Sequence, residues 1–129
     1  PAHFISSKVI EQATFITPNE HEAKLLFPSK ELNDVLSQNS NKVFITEGGK
    51  GVRYHNGKDV VLVPTFNVNA VDTTGAGDTF NGAFAVAVGE GKNLTDSLRF
   101  ANRAASLSVT KFGAQGGMPM RIDVEETMK

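Results

Sequence analysis

The stretch Val71–Gly82, VDTTGAGDTFNG, holds two aspartates, three threonines and the triplet Gly75-Ala76-Gly77, yet no lysine or arginine. Glycines there let the backbone reach positive φ and approach a ligand closely. From Asp78 to about Val88 the pattern reads as a helix, with Phe80, Phe84, Ala87 and Val88 forming a stripe. The first amides of such a helix have no intrahelical partner and carry partial positive charge. The segment can therefore hold an anion without a basic side chain. Asp78, at the helix mouth, is a carboxylate placed to accept a proton from an attacking hydroxyl. An ordinary helix cap is the competing reading of the same residue.

Working outward, the chain alternates strand and helix patterns, which favours an α/β layer fold. ATFIT (13–17) is β-prone, and Thr17-Pro18-Asn19-Glu20 reads as a helix start followed by Ala23, Leu26 and Phe27 at helical spacing. Ser29 is a candidate cap for a second helix over 31–38, with Leu32, Val35 and Leu36 on one face. KVFIT (42–46) is a continuous apolar run of the buried parallel type. Asn56-Gly57 predicts a tight hairpin turn between 51–55 and 59–63, closed by Pro64. Val68–Val71 reads as a short strand leading into the glycine segment. Asn93 or Thr95 caps a long helix to about Thr110, with Leu94, Leu98, Ala101, Ala105 and Ser108 on one side; the small Ala101, Ala104 and Ala105 suit close packing. Residues 112–119 read as a glycine-rich loop, and a short helix follows from Asp123.

Composition excludes several function classes. Thirteen Lys plus Arg against fourteen Asp plus Glu leave a formal charge of −1, so no basic excess drives nucleic-acid binding. There is no 18-residue apolar run, so no membrane span or membrane partner is expected. The opening PAHFISSKVIEQ lacks a basic start followed by a continuous apolar stretch, and cytoplasmic residence is the default expectation. Cysteine is absent, and His3, His21 and His55 do not show metal-ligand spacing. The start at Pro1-Ala2, without methionine, is expected of a processed product or a piece of a longer polypeptide.

Three further groupings carry chemistry. Thr46-Glu47-Gly48-Gly49-Lys50-Gly51 runs from a buried-type strand into a glycine loop able to lie along a nucleotide; it lacks the GxxxxGK[ST] spacing, and a tight turn is an equal reading. Asn19 and Glu22 stand three apart at a helix start, suited to a polyphosphate or a hydrated Mg²⁺, or simply to capping. Asp72, beside the free carbonyls of the 112–117 segment, suits a hard or monovalent cation, or local amides. Asn102, inside the long helix, is a weaker candidate for a ligand contact.

Together, TPNEHEA (17–23), TEGGKG (46–51), DTTGAGDTF (72–80) and FGAQ (112–115) resemble the ribokinase (pfkB-type) family of sugar kinases, in that family's order and across nearly the whole chain. The resemblance implies a three-layer α/β ribokinase-like fold, here its C-terminal part, with a mostly parallel sheet, a β-hairpin and flanking helices. It implies one domain over residues 1–129, carrying the ATP-binding and catalytic loops. The implied activity is transfer of the γ-phosphoryl group of ATP to a sugar primary hydroxyl, with D-ribose to D-ribose 5-phosphate favoured by the wording of TPNEHEA and FANRAA. A sister kinase acting on fructose phosphates, ketodeoxygluconate or nucleosides, or a non-catalytic nucleotide-binding module, are the alternatives.

On the same resemblance, Asp78 is the base, and Gly75, Ala76 and Gly77 supply an anion hole. Asn19 and Glu22 serve phosphate and water-held Mg²⁺. Thr46, Glu47, Gly48, Gly49, Lys50 and Gly51, with Gly77, Asp78 and Asn102, line ATP. Potassium is implied at Asp72, Thr74, Ser108, Lys111, Gly113 and Gly117, and Gly117 stands where family members often carry serine. A homodimeric full-length protein is also implied. The family's glycine-rich sugar-binding motif and its small β-sheet lid have no counterpart in these residues, so the chain by itself is expected to be inactive.

Overall fold

The computed structural model describes residues 5–129; Pro1-Ala2 and His3 lie outside them. The chain divides into two compact units, one reaching to Leu62 and one spanning Val63–Lys129.

The first unit contains helices α1 (Ser7–Gln12), α2 (Glu20–Leu26) and α3 (Leu32–Gln38) and strands β1 (Ile45–Thr46) and β2 (Gly51–His55), with strand β3 (Val60–Pro64) running through its end. The sheet order is β1-β2-β3. β1 and β2 are antiparallel, with Ile45 opposite Arg53 and Thr46 opposite Val52. The hairpin turn forms where Asn56-Gly57 predicts it. Asn56 Oδ1 accepts the N–H groups of Lys58 and Asp59, each at 2.9 Å, and Gly57 takes φ 99°.

The expected parallel sheet survives only as two bridges, Ile16 with Val43 and Asn19 with Thr46. Between the two bridges one donor is missing. Ile16 N–H bonds to Lys42 O, Phe44 N–H to Ile16 O and Thr46 N–H to Pro18 O, all at 2.9 Å. The intervening rung needs an N–H at position 18, and proline has none. Pro18 thus ends the strand and frees the chain to start α2 one residue later. Ser29 is not the α3 cap; it sits at φ 61°, and Glu31 takes the N-cap position without a side-chain bond.

The helices cover the sheet with one apolar cluster: Ala23, Phe27, Val35, Leu36, Val43 and Ile45, with Ile10, Ile16, Leu26 and Leu32 against it. Phe44 packs between Phe15 (ring centroids 5.7 Å) and Tyr54 (5.3 Å).

The second unit contains α4 (Ala76–Gly89), α5 (Leu94–Ser108), the single turn α6 (Ala114–Gly117) and α7 (Arg121–Thr127). Asn93 caps α5, its Oδ1 accepting Asp96 N–H at 2.8 Å. Buried Ala101 and Ala104 leave room on α5, and Ala87, Phe100, Ala104 and Val124 form the core. Phe80 and Phe84 stack at 6.1 Å on the buried face of α4. The Arg121 guanidinium forks onto Glu90 at 2.5 and 2.7 Å and reaches Glu125 at 2.7 Å, tying α7 to the end of α4. Residues 68–71 form no strand. Val71 and Asp72 donate instead to the carbonyl of Val109 at the end of α5. No helix among the described residues is long and apolar enough to cross a membrane.

Leu36 is fully buried in the first cluster. Leu36→Ala is expected to cost about 2–5 kcal/mol, read as a lowered urea midpoint at unchanged slope; a loss below ~1 kcal/mol would mean the cluster does not hold that unit.

Candidate functional site

In the first unit, two of the chemically loaded stretches adjoin. Asn19 N–H donates to Glu22 Oε2 at 2.9 Å and Glu22 N–H to Asn19 Oδ1 at 2.8 Å, a reciprocal capping box at the start of α2. The capping reading of this pair is therefore realised, and it fixes both side chains at the helix mouth. The bridge from Asn19 to Thr46 sets this mouth beside the loop that leaves β1. In that loop Gly48–Lys50 make one 3₁₀ turn. Gly48 (φ 54°) and Gly51 (φ 121°) take conformations that disfavour side chains. The Glu47 carboxylate is turned onto Arg53, at 2.8 Å from Nε, so Glu47 offers the loop's face only its backbone.

In the second unit, Asp72 joins two loops. Its Oδ1 accepts Thr74 N–H and its Oδ2 accepts Gly113 N–H, each at 2.9 Å. The Thr74 side chain, the Gly113 amide and the Thr74 amide hold the Asp72 carboxyl down from the usual 3.8 to about 2. Gly75 is the N-cap of α4 at φ 79° and has no side chain to cap with. A Cβ on Gly75 would stand 2.9 Å from the Ala114 Cβ. The 72–78 segment and the 113–117 turn are thus pressed together at Gly75 and linked by hydrogen bonds at Asp72.

The amides at the start of α4 divide in use. Ala76 N–H donates to Thr73 O at 3.2 Å, so of the triplet it is already engaged. Gly77 N–H and Asp78 N–H lie in the first turn, where no i−4 carbonyl exists. A Cβ on Gly77 would meet nothing within 4 Å, so no neighbour in the chain explains its being glycine. Asp78 is exposed. A groove of about 250 Å³ runs from Asp78 past Gly82 and Val86, walled by Met118, Pro119 and Val124.

A profile of the pfkB family carbohydrate kinases matches residues 5–121. The chain belongs to the pfkB family. It is 59% identical to ribokinase of Bacillus subtilis over 99% of this chain and 44% of that protein. Among solved structures it superposes on ribokinase of Thermotoga maritima with a TM-score of 0.86 at 38% identity, covering 96% of this chain and 45% of the other. Ribokinase of Arabidopsis thaliana, solved with ribose and ATP, gives 0.86 at 32% identity, covering 98% and 44%. The fold is thus ribokinase-like, and this pfkB-family chain spans under half the length of the relatives it matches.

The oxygen donors in the second unit suit a monovalent cation. Gly117 lies directly against the Ser108 carbonyl and faces Lys111 O, so closely that a Cβ there would collide with Ser108 O. Two carbonyls and the Asp72–Gly113 contact therefore gather around the 113–117 turn, and hard oxygen ligands fit such an ion. Among the described residues no group of three or more His, Asp or Glu could hold a metal. The lone Glu22 carboxylate, with one oxygen committed to its capping box, fits Mg²⁺ held mainly by water.

Asn102, a weaker candidate for a ligand contact, has its amide nitrogen engaged within the chain. It is buried, and its Nδ2 donates to Val63 O at 3.0 Å and Pro64 O at 3.3 Å. That amide tethers α5 to the chain leaving β3. Sequence reasoning missed Ala114 as the stop behind Gly75 and Arg53 as the partner of Glu47. Only the i+6 spacing of Glu47 and Arg53 across a glycine turn hinted at the second.

Two outcomes follow for this pfkB-family chain. Gly75→Ala is expected to cost about 2–3 kcal/mol through positive φ and overpacking, while Gly77→Ala leaves the urea midpoint unchanged or slightly raised; equal effects would refute the Ala114 contact. Because Asp72 titrates lower in the fold than in the unfolded chain, its contribution is present above pH 3.8 and is lost as pH falls through about 2. Asp72→Asn should therefore differ in stability from the parent at neutral pH and converge with it across that window in an acid titration.

Proposed function

We propose that this chain supplies the ATP-binding and proton-accepting part of a ribokinase, which phosphorylates the primary hydroxyl of D-ribose to give D-ribose 5-phosphate and ADP. The observation that carries this is Asp78 in the uncapped first turn of α4, behind a glycine that the 113–117 turn holds in place. The identity to ribokinases over the full length of the chain supports ribose as the sugar.

In this reading Asp78 takes the proton of the sugar hydroxyl as its oxygen attacks phosphorus. Asp78 needs position more than unusual basicity, because phosphoryl transfer is governed by alignment and charge. The amides of Gly75 and Gly77 face the oxygens on which negative charge grows. Ala76 N–H joins them on leaving Thr73 O. Gly48, Gly49 and Gly51, with Thr46 and the backbones of Glu47 and Lys50, lie along the nucleotide. Asn19 and Glu22 orient water around the phosphates.

Mg²⁺ near Glu22 would neutralise phosphate charge. K⁺, held by Asp72, Thr74 and the backbone oxygens of Ser108, Lys111, Gly113 and Gly117, would add positive potential beside the α4 amides. Asp72 keeps the 113–117 turn in register with Gly75, so the same carboxylate orders the anion hole from behind.

The test is Asp78→Ala in the full-length protein. Ribose-dependent ADP release should fall by about 10²–10⁴-fold while ADP binding by calorimetry stays near the parent's value. Near-normal kcat would overturn the assignment of the base. In the same assay the 129-residue chain alone is expected to release no ADP in response to ribose, and measurable release would contradict its being a partial site.

A further inference from the structure

The Gly48–Lys50 turn has almost nothing to lean on. Cβ atoms built on Gly48 and Gly49 would meet no atom within 4 Å, so the side of the turn on which they would stand is open. Gly51 N–H donates to Gly48 O within the turn, and Glu47 holds its base. Glu47 N–H donates to Gly51 O at 2.8 Å, and Lys50 N–H donates to Glu47 O at 3.1 Å, closing the base of the turn. The Glu47 side chain then folds back along β2 to Arg53, meeting Nε at 2.8 Å and Nη2 at 3.4 Å. Arg53 itself is set by the β1–β2 ladder, opposite Ile45.

Burial decides how much this pair matters. The Glu47 side chain is 10% exposed and that of Arg53 34%. A carboxylate so covered is costly to leave without a partner, unlike one in an exposed surface pair. A two-point guanidinium contact also fixes orientation, which an ammonium does not.

We propose that Arg53 is a positioning residue for nucleotide binding: by holding the Glu47 carboxylate against β2, it keeps the Gly48–Lys50 turn in the shape that receives the nucleotide. This rests on the ribokinase reading for the identity of the ligand. With Arg53 gone, the covered carboxylate swings toward water and takes the Glu47 backbone, and the base of the turn, with it. The turn then spends part of its time in other shapes, and apparent affinity falls by the fraction that is competent.

The experiment measures Kd for ADP by calorimetry, and KM for ATP, KM for ribose and kcat, on the full-length protein. Arg53→Gln should raise the ADP Kd and ATP KM about tenfold, with ribose KM and kcat near the parent's values and the thermal midpoint lowered, since the covered Glu47 carboxylate loses its partner. Arg53→Lys, which keeps charge but loses the fork, should fall between, and it serves if Arg53→Gln does not fold. The exchanged pair Glu47→Arg/Arg53→Glu should recover most of the affinity. Unmoved nucleotide constants would overturn the inference, and so would a fall of kcat with both KM values raised alike, which marks a merely structural pair. A parent that binds ADP but does not phosphorylate ribose would sink the ribokinase reading while the ADP constants still decide the role of Arg53.

Discussion

The second unit is organised around a single carboxylate. Asp72 accepts an amide from its own loop and another from Gly113, forty-one residues on. Two loops that would otherwise wander are thereby given one relative position. Gly75 can then be pressed onto Ala114, and α4 starts at a defined point with its amides pointing outward. No basic side chain is needed at this spot, because backbone dipoles supply the positive potential. The two acids of the glycine segment therefore divide the work. Asp72 holds the loops together, and Asp78 is left exposed at the helix mouth.

Local chemistry made much of this legible in the sequence. Asn19 with Glu22, Asn93 and Asn56-Gly57 act through bonds to residues two or three positions away, so their effect does not depend on the rest of the fold. The long amphipathic helices were readable for the same reason, since their stripe is a property of one segment. What stayed hidden depended on partners. The 13–17 and 42–46 segments do run parallel, but the ladder is broken at Pro18, and only the pairing register reveals that. Residues 68–71 have strand composition, yet the amide of Val71, with that of Asp72, is claimed by the end of α5. The turn α6 was hidden because Ala114–Gly117 contains two glycines, poor helix formers, and its partners Asp72, Gly75 and Ser108 lie elsewhere in the chain. Helix α1 left no stripe to find, with Val9 exposed.

The candidate site shows the same division. The motifs were legible as residues, but not which groups of each residue remain available. Glu47 and Asn102 sit where a nucleotide contact was expected, yet their side chains are committed to Arg53 and to the carbonyls of Val63 and Pro64. Of three triplet amides, one already has a partner. A motif identifies the segment that meets a ligand, and the surrounding hydrogen bonds decide whether backbone or side chain does so.

Gly117 carries a consequence for how this sequence can drift. Its α-carbon rests on the carbonyl that ends α5, with no room for even one more carbon. A serine there is not a single neutral step from this background. The last turn of α5 has to give way first, through changes around Ser108 or Lys111. Replacements at 117 therefore need to travel with changes in their neighbours.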